Sequence, residues 1–285
     1  MVSRDEDMDV DAVPAEGEED CPRAPARHVC INRREIVGKL ETILQPLFDA
    51  CLANYDLTSS MPIAVSGGSM VGILAEVFPR LRVDWRRVAI LMVDERMVPL
   101  DSKESIAGEY LRAFPPEIGA SIQMVDQVIP FHNEIDLKRT AFKYYDKAHL
   151  EVGVQMSMFK PIFDFVFLGM GPDGHTASLF PAHKHDWAKW PKEHREQYYI
   201  GVKNSPKPPP ERITLTLEAI NNSRNIFFIV TGAEKKYVVD EIANGRGQKY
   251  PAGNVVATKK WQKVTWILDE EAGGDLSSMD EDASP

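Results

Sequence analysis

Phe163-Asp164-Phe165-Val166-Phe167-Leu168-Gly169-Met170-Gly171-Pro172-Asp173-Gly174-His175-Thr176-Ala177-Ser178-Leu179-Phe180-Pro181 decides how this chain is read. An apolar run rich in aromatic residues stops at a Gly-x-Gly-Pro turn. Three polar residues follow, Asp173, His175 and Thr176, before the chain turns apolar again. A run of that length bounded by Gly and Pro predicts a buried strand, and the segment after it a helix start. In an open α/β sheet, ligands sit at the carboxyl ends of strands. An acid and an imidazole two residues apart at such a point can act on one substrate atom, because the carboxylate can orient what the imidazole deprotonates. The structural alternative, Asp173 as a helix cap and His175 on the surface, is the better reading of a lone Asp-x-His; the glycines, the strand and the abrupt polar cluster bring the two readings level.

Outward from that strand the same alternation recurs. Residues 32–53 carry Ile36, Leu40, Ile43, Leu44, Leu47 and Leu52 near helical spacing. Pro62–Val65 is a short apolar run ending in Ser66-Gly67-Gly68-Ser69, with a helix expected from Met70 to Phe78. Val88–Val93 predicts a strand ending in Asp94-Glu95-Arg96. Helices are expected over 104–113, 134–152 and 233–243. Further strands are expected over 125–130, Tyr198–Val202, Ile213–Leu217, Asn225–Val230 and Val264–Leu268. Strands alternating with helices predict an α/β fold, a mostly parallel sheet with helices on both faces. Residues 182–196 read as an irregular loop, and Lys207-Pro208-Pro209-Pro210 as a rigid connector. With no internal repeat or linker, residues 28–272 read as one catalytic domain.

Composition narrows the partners. The chain has 285 residues and a formal charge of −10, and the ends carry the negative charge. Residues 1–27 hold nine acids against three arginines, and 269–285 hold seven acids without Lys or Arg, which leaves the centre at about +3. A mildly positive body with acidic tails over 1–27 and 273–285 suits a small anionic ligand and would be repelled by nucleic acid. The tails are poor in large apolar residues and are expected to be disordered. Three cysteines, Cys21, Cys30 and Cys51, fit a reducing compartment rather than a disulfide framework. The absence of an apolar signal segment or membrane-length run makes the cytoplasm the expectation, and a monomer is expected because no association motif is visible.

Three loops converge on one site in this reading. Ser66, Gly67, Gly68 and Ser69 lie between strand and helix, where backbone N–H groups, hydroxyls and a helix N-terminus favour an anion. The pattern is neither Gly-x-Gly-x-x-Gly nor a Walker loop, which argues against dinucleotides and nucleoside triphosphates. Arg96, beside Asp94, could bind phosphate or stabilise an oxyanion. Lys207 and Arg212 flank the proline run, and two cations there suit a phosphate, though a solvated basic loop reads equally well. Gly169 and Gly171 complete the predicted substrate contacts. His183, His185 and His194 lack a matching acid or cysteine set, so no metal is expected.

Together these stretches resemble the 6-phosphogluconolactonases, within the superfamily that includes glucosamine-6-phosphate deaminases. The resemblance runs through Ser66–Ser69, Asp94–Pro99, Leu168–Pro181, Arg212–Thr216, Thr231–Lys235 and Trp266–Ala272, and spans residues 32 to 272. It implies a Rossmann-like sandwich, no cofactor, and hydrolysis of a sugar-phosphate lactone. His175 would then be the base, Asp173 its orienting group, and Arg96 a substrate contact. Ser66 to Ser69, Lys207 and Arg212 would hold the phosphate far from the reacting carbon. The segment Thr176–Pro181 has the lactonase form rather than the deaminase form Ile-Ala-Phe-Asn-Glu-Pro. A non-catalytic sugar-phosphate sensor would not need Asp173 or His175. Two positions depart from the family pattern. Ile106-Ala107 follows Ser105 where the family has Asn-Tyr, and Ala182 stands where Gly often follows the Phe-Pro.

Overall fold

The computed structural model describes residues 24–56, 59–119, 123–124, 140–143, 146, 154–157, 160–181 and 198–273. Its core is a seven-stranded, wholly parallel sheet. The strands are β1 (Ala26–Cys30), β2 (Met61–Val65), β3 (Val88–Met92), β5 (Gln123–Met124), β8 (Phe165–Leu168), β11 (Asn225–Val230) and β12 (Lys263–Asp269). They lie in the order β1-β12-β11-β8-β2-β3-β5. Every residue of β2, β3, β8 and β11 is buried. This is why those strands read as continuous apolar runs, since a parallel sheet is covered on both faces. Phe165, Phe167 and Phe227 stack across neighbouring strands, with Phe48 packed on Phe165.

Four helices of eight or more residues fall in the described chain: α1 (Arg33–Leu52), α2 (Ser69–Val77), α3 (Ile106–Ala113) and α4 (Lys236–Ala243). Asn32 starts α1 by accepting the Glu35 N–H, while Glu35 accepts the Ile31 N–H, a reciprocal cap. The buried stripe of α1 is Ile36, Val37, Leu40, Leu44, Phe48 and Leu52. Among the described residues no helix is long and apolar enough to cross a membrane.

The chain enters at β1 on one edge, jumps to β2 in the middle and runs outward through β3 and β5. It then returns to β8 on the other side of β2 and continues through β11 and β12 back to β1. The loops after β2 and β8 therefore leave neighbouring strands in opposite directions and open a crevice between them. The Ser66 N–H donates to the Phe167 carbonyl at 3.0 Å, which ties the two strand ends together.

Several expectations need correction. Ala26 and Arg27, assigned to the acidic tail, already belong to β1 and pair with Thr265 and Trp266 of β12. Asp94-Glu95-Arg96 is not a loop but a strand, β4 (Asp94–Arg96). It pairs antiparallel with β10 (Arg212–Leu215), which pairs antiparallel with β9 (Tyr199–Val202) in a separate small sheet. The expected strand Ile213–Leu217 ends at Leu215, because Thr216 caps the helical turn Leu217–Ile220 by accepting the Ala219 N–H. After Gly171 no helix begins: positive φ at Gly174 (77°) and Ala177 (51°) produces consecutive turns instead. The remaining two strands, β6 (Gln155–Ser157) and β7 (Lys160–Ile162), form a hairpin. The strand expected over 125–130 and the loop 182–196, with Ala182, His183, His185 and His194, lie outside the described residues, as do the tails 1–23 and 274–285 and most of the helix expected over 134–152.

Candidate active site

The loop after β8 folds back on itself. The Gly171 N–H donates to the His175 carbonyl at 2.9 Å, the Gly174 N–H to the Gly171 carbonyl at 2.9 Å, and the Thr176 hydroxyl to the Gly169 carbonyl at 2.9 Å. This returns the His175 ring over Gly171. A methyl group at Gly171 would lie 2.0 Å from His175 Cε1 and Nδ1, so only glycine admits the ring there. Gly174 has a second constraint beside its positive φ, since Tyr250 packs where its side chain would be, 2.5 Å from a built Cβ.

His175 Nδ1 and Asp173 Oδ1 form a short hydrogen bond. Asp173 is an acceptor, so Nδ1 carries the proton and Nε2 is left as the basic nitrogen. Lys207 Nζ lies 3.3 Å from Nδ1 and 3.8 Å from Asp173 Oδ1. With Nδ1 protonated, the first approach is no hydrogen bond, and the ammonium pairs instead with Asp173. Burial pushes the His175 imidazole below its ordinary value; Asp173 opposes this and Lys207 adds to it. Burial acts to raise Asp173, but the His175 hydrogen bond and the charges of His175 and Lys207 outweigh it and hold the carboxyl low. The pair is thus a neutral imidazole beside an ionised carboxylate. The Phe180 ring stands between His175 and Arg212, with 4.8 Å between the Phe180 and His175 ring centroids and the guanidinium carbon 5.5 Å from the Phe180 centroid.

The residues placed by sequence in phosphate binding divide. Ser66 to Ser69 close β2 and open α2, whose N-terminus has no side-chain cap. The Ser66 hydroxyl is buried with no hydrogen-bond partner, so the loop offers unpaired donors at the crevice. Gly68 takes φ 79° there. Arg96 donates Nη1 to the Glu104 carbonyl at 2.9 Å, while its buried Nε has no partner. Lys207 is not remote from the reacting groups: it lies against the imidazole. Arg212 presents no free face. It is buried, and donates Nε to the Pro209 carbonyl at 3.0 Å, Nη2 to the Lys207 and Pro208 carbonyls at 2.9 and 3.0 Å, and Nη1 to Ser178 Oγ at 3.3 Å. Asp94 is likewise buried and accepts the Ser178 hydroxyl at 2.7 Å.

Three contributors were not singled out by sequence: Ser178, Tyr250 and Glu95. Glu95, fully buried, accepts the backbone N–H groups of Arg96, Ile106 and Ala107 at 2.6, 2.9 and 2.7 Å, and so caps α3. Because backbone groups make these bonds, Ile106-Ala107 needs no polar side chains to hold Arg96's surroundings. Ile106 packs on Gly67 instead, where a built Cβ would meet it at 2.7 Å.

A family model described as glucosamine-6-phosphate isomerases/6-phosphogluconolactonase matches residues 37–266. The chain is 33% identical to the 6-phosphogluconolactonase of Homo sapiens, over 85% of this chain and 90% of the human one. The structure of 6-phosphogluconolactonase from Trypanosoma cruzi aligns with a TM-score of 0.69 at 27% identity, covering 91% of this chain and 100% of that one. The Trypanosoma brucei counterpart aligns with a TM-score of 0.67 at 26% identity, covering 89% and 99%.

Proposed function

The chain belongs to the glucosamine-6-phosphate isomerase/6-phosphogluconolactonase family, and from that premise we propose that it hydrolyses 6-phospho-D-glucono-1,5-lactone to 6-phospho-D-gluconate, the second step of the oxidative pentose phosphate pathway. The observation that carries this reading is the Asp173–His175 pair, fixed over Gly171 at the switch point of the sheet. Nε2 of the neutral imidazole takes a proton from water as the oxygen attacks the lactone carbonyl carbon. Asp173 steadies the imidazolium that forms. The negative charge that develops on the carbonyl oxygen calls for nearby donors, for which Arg96 and Lys207 are the cations in place. Collapse of the tetrahedral intermediate breaks the bond to the ring oxygen, which takes the proton from Nε2.

The phosphate belongs at Ser66–Ser69, where the uncapped α2 N-terminus and the unpaired Ser66 hydroxyl favour an anion. Binding it far from the carbonyl lets its interaction energy position the lactone. Gly169 and Gly171 line the approach to His175, and the chemistry we propose needs no cofactor or metal. We assign the protein to the cytosol as a monomer, with a catalytic unit that begins at β1, residues 26–272.

The test is hydrolysis of freshly generated lactone above its spontaneous opening, with His175→Ala as control. Turnover falling by about 10²- to 10⁴-fold in the variant supports both reaction and base. Turnover that persists moves the base elsewhere. No turnover in the unmutated protein, together with ammonia release from glucosamine 6-phosphate, would replace the lactonase reading by the deaminase.

A further inference from the structure

Resting on the hydrolytic reading above, we infer that the buried chain Arg212–Ser178–Asp94 is a positioning device that holds the Lys207 ammonium against the Asp173–His175 pair. Arg212 donates to Ser178 Oγ at 3.3 Å, and Ser178 donates on to Asp94 Oδ2 at 2.7 Å. The three side chains come from β10, the His175 loop and β4, so the chain ties together three segments that are far apart in sequence. All three residues are buried, Ser178 completely, which leaves them poorly placed to touch a substrate.

What they touch is the strap that carries Lys207. Three consecutive carbonyls, of Lys207, Pro208 and Pro209, accept from Arg212. Within the strap, Ser205 donates its hydroxyl to the Lys207 carbonyl at 2.8 Å, and the Ser205 N–H donates to the Pro210 carbonyl at 2.9 Å. The strap is thus a closed turn between the paired strands β9 and β10, with the Glu211 carbonyl at its end accepting the Met97 N–H at 3.0 Å. Arg212 is the side chain that fastens its Lys207–Pro209 carbonyls to the site. That guanidinium is in turn held by Ser178, whose N–H donates to Thr214 Oγ1 at 3.2 Å. A planar fork with donors on three nitrogens can hold several acceptors in one geometry, which an ammonium cannot.

The position of Lys207 matters because of the charges around the imidazole. His175 faces Asp173 from its own loop, Asp94 from β4 and Lys207 from the strap. The two carboxylates favour the imidazolium; burial opposes them, and among the charges facing the ring the ammonium does so too. If the strap is released, Lys207 moves away and the carboxylates act against burial alone. His175 then holds its proton to higher pH and fewer molecules carry a competent base.

The experiment titrates the His175 imidazole by NMR in the full chain, and in parallel measures kcat and KM against pH. Lys207→Met removes the charge directly and sets the reference: an upward displacement of the His175 midpoint. Ser178→Ala and Arg212→Lys are expected to displace it in the same direction. Both should lower kcat at neutral pH by about tenfold while KM stays within about twofold. Arg212→Lys keeps a cation on β10 and guards against a folding failure of Ser178→Ala. An unmoved His175 midpoint in folded Ser178→Ala and Arg212→Lys would overturn the inference. So would a raised KM with unchanged kcat in Arg212→Lys, the behaviour of a phosphate contact. The titration does not depend on turnover, so loss of the lactonase reading and loss of the strut are told apart.

Discussion

Asp173 and His175 were legible in sequence because two residues span the whole interaction. What sequence could not give is why the ring sits where it does. That is decided by the missing side chain at Gly171, which a list of titratable residues passes over. Gly171→Ala would drive the imidazole off Asp173, because its methyl lands 2.0 Å from the ring. The expected result is a fall in kcat of at least about tenfold with KM little changed and the fold intact by circular dichroism. The lowered His175 value has its own consequence for pH. A base must be neutral to act, so kcat/KM should hold as pH falls through the ordinary histidine range and be lost only below it. An acid limb at or above the free imidazole value would contradict the burial assigned to His175. Lys207 was placed at a remote phosphate because sequence shows it beside prolines and not beside the imidazole. Only the folded strap brings those two together.

At the scale of elements, the long central strands were readable because burial on both faces makes them uniformly apolar. The short ones were not. β1 has only one buried residue in five, Cys30, and alternates too little to stand out from the tail before it. β4 is three polar residues long, Asp94-Glu95-Arg96, and its carboxylates face inward, contrary to what polarity suggests. Glu95 is the informative case. Burial pushes its carboxyl up to about 7, against the backbone N–H groups that pull it down. Its folded value thus lies above the ordinary 4.5, so its contribution to stability is complete below that value and is lost as pH rises through about 7. Glu95→Gln removes the titration. The melting temperature of the unmutated protein relative to Glu95→Gln should therefore fall between about pH 5 and about pH 8. A constant difference across that range would show that the carboxyl titrates as if exposed.

Across the whole molecule, the two ends of the sheet differ in chemistry. The carboxyl ends hold the site. At the amino end, Asp164 just before β8 is buried, accepts the Tyr55 hydroxyl and pairs with Arg224 at 3.2 Å. Asp164→Ala would take the acceptor from the part-buried Tyr55 hydroxyl and an ion-pair partner from the half-exposed Arg224 guanidinium. The expected loss is about 2 kcal/mol in denaturant unfolding, with kcat unchanged. A comparable fall in kcat would mean that the two ends are coupled. The order of the strands also sets an order in time. Ala26 is among the first described residues to be synthesised, yet its partner is Thr265. Until β12 is made, β1 stays without its neighbour, and that edge of the sheet can be sealed only after β12 has left the ribosome. The first strand among the described residues is therefore among the last to be locked, and a long-range closure of this kind belongs to the slow steps of folding.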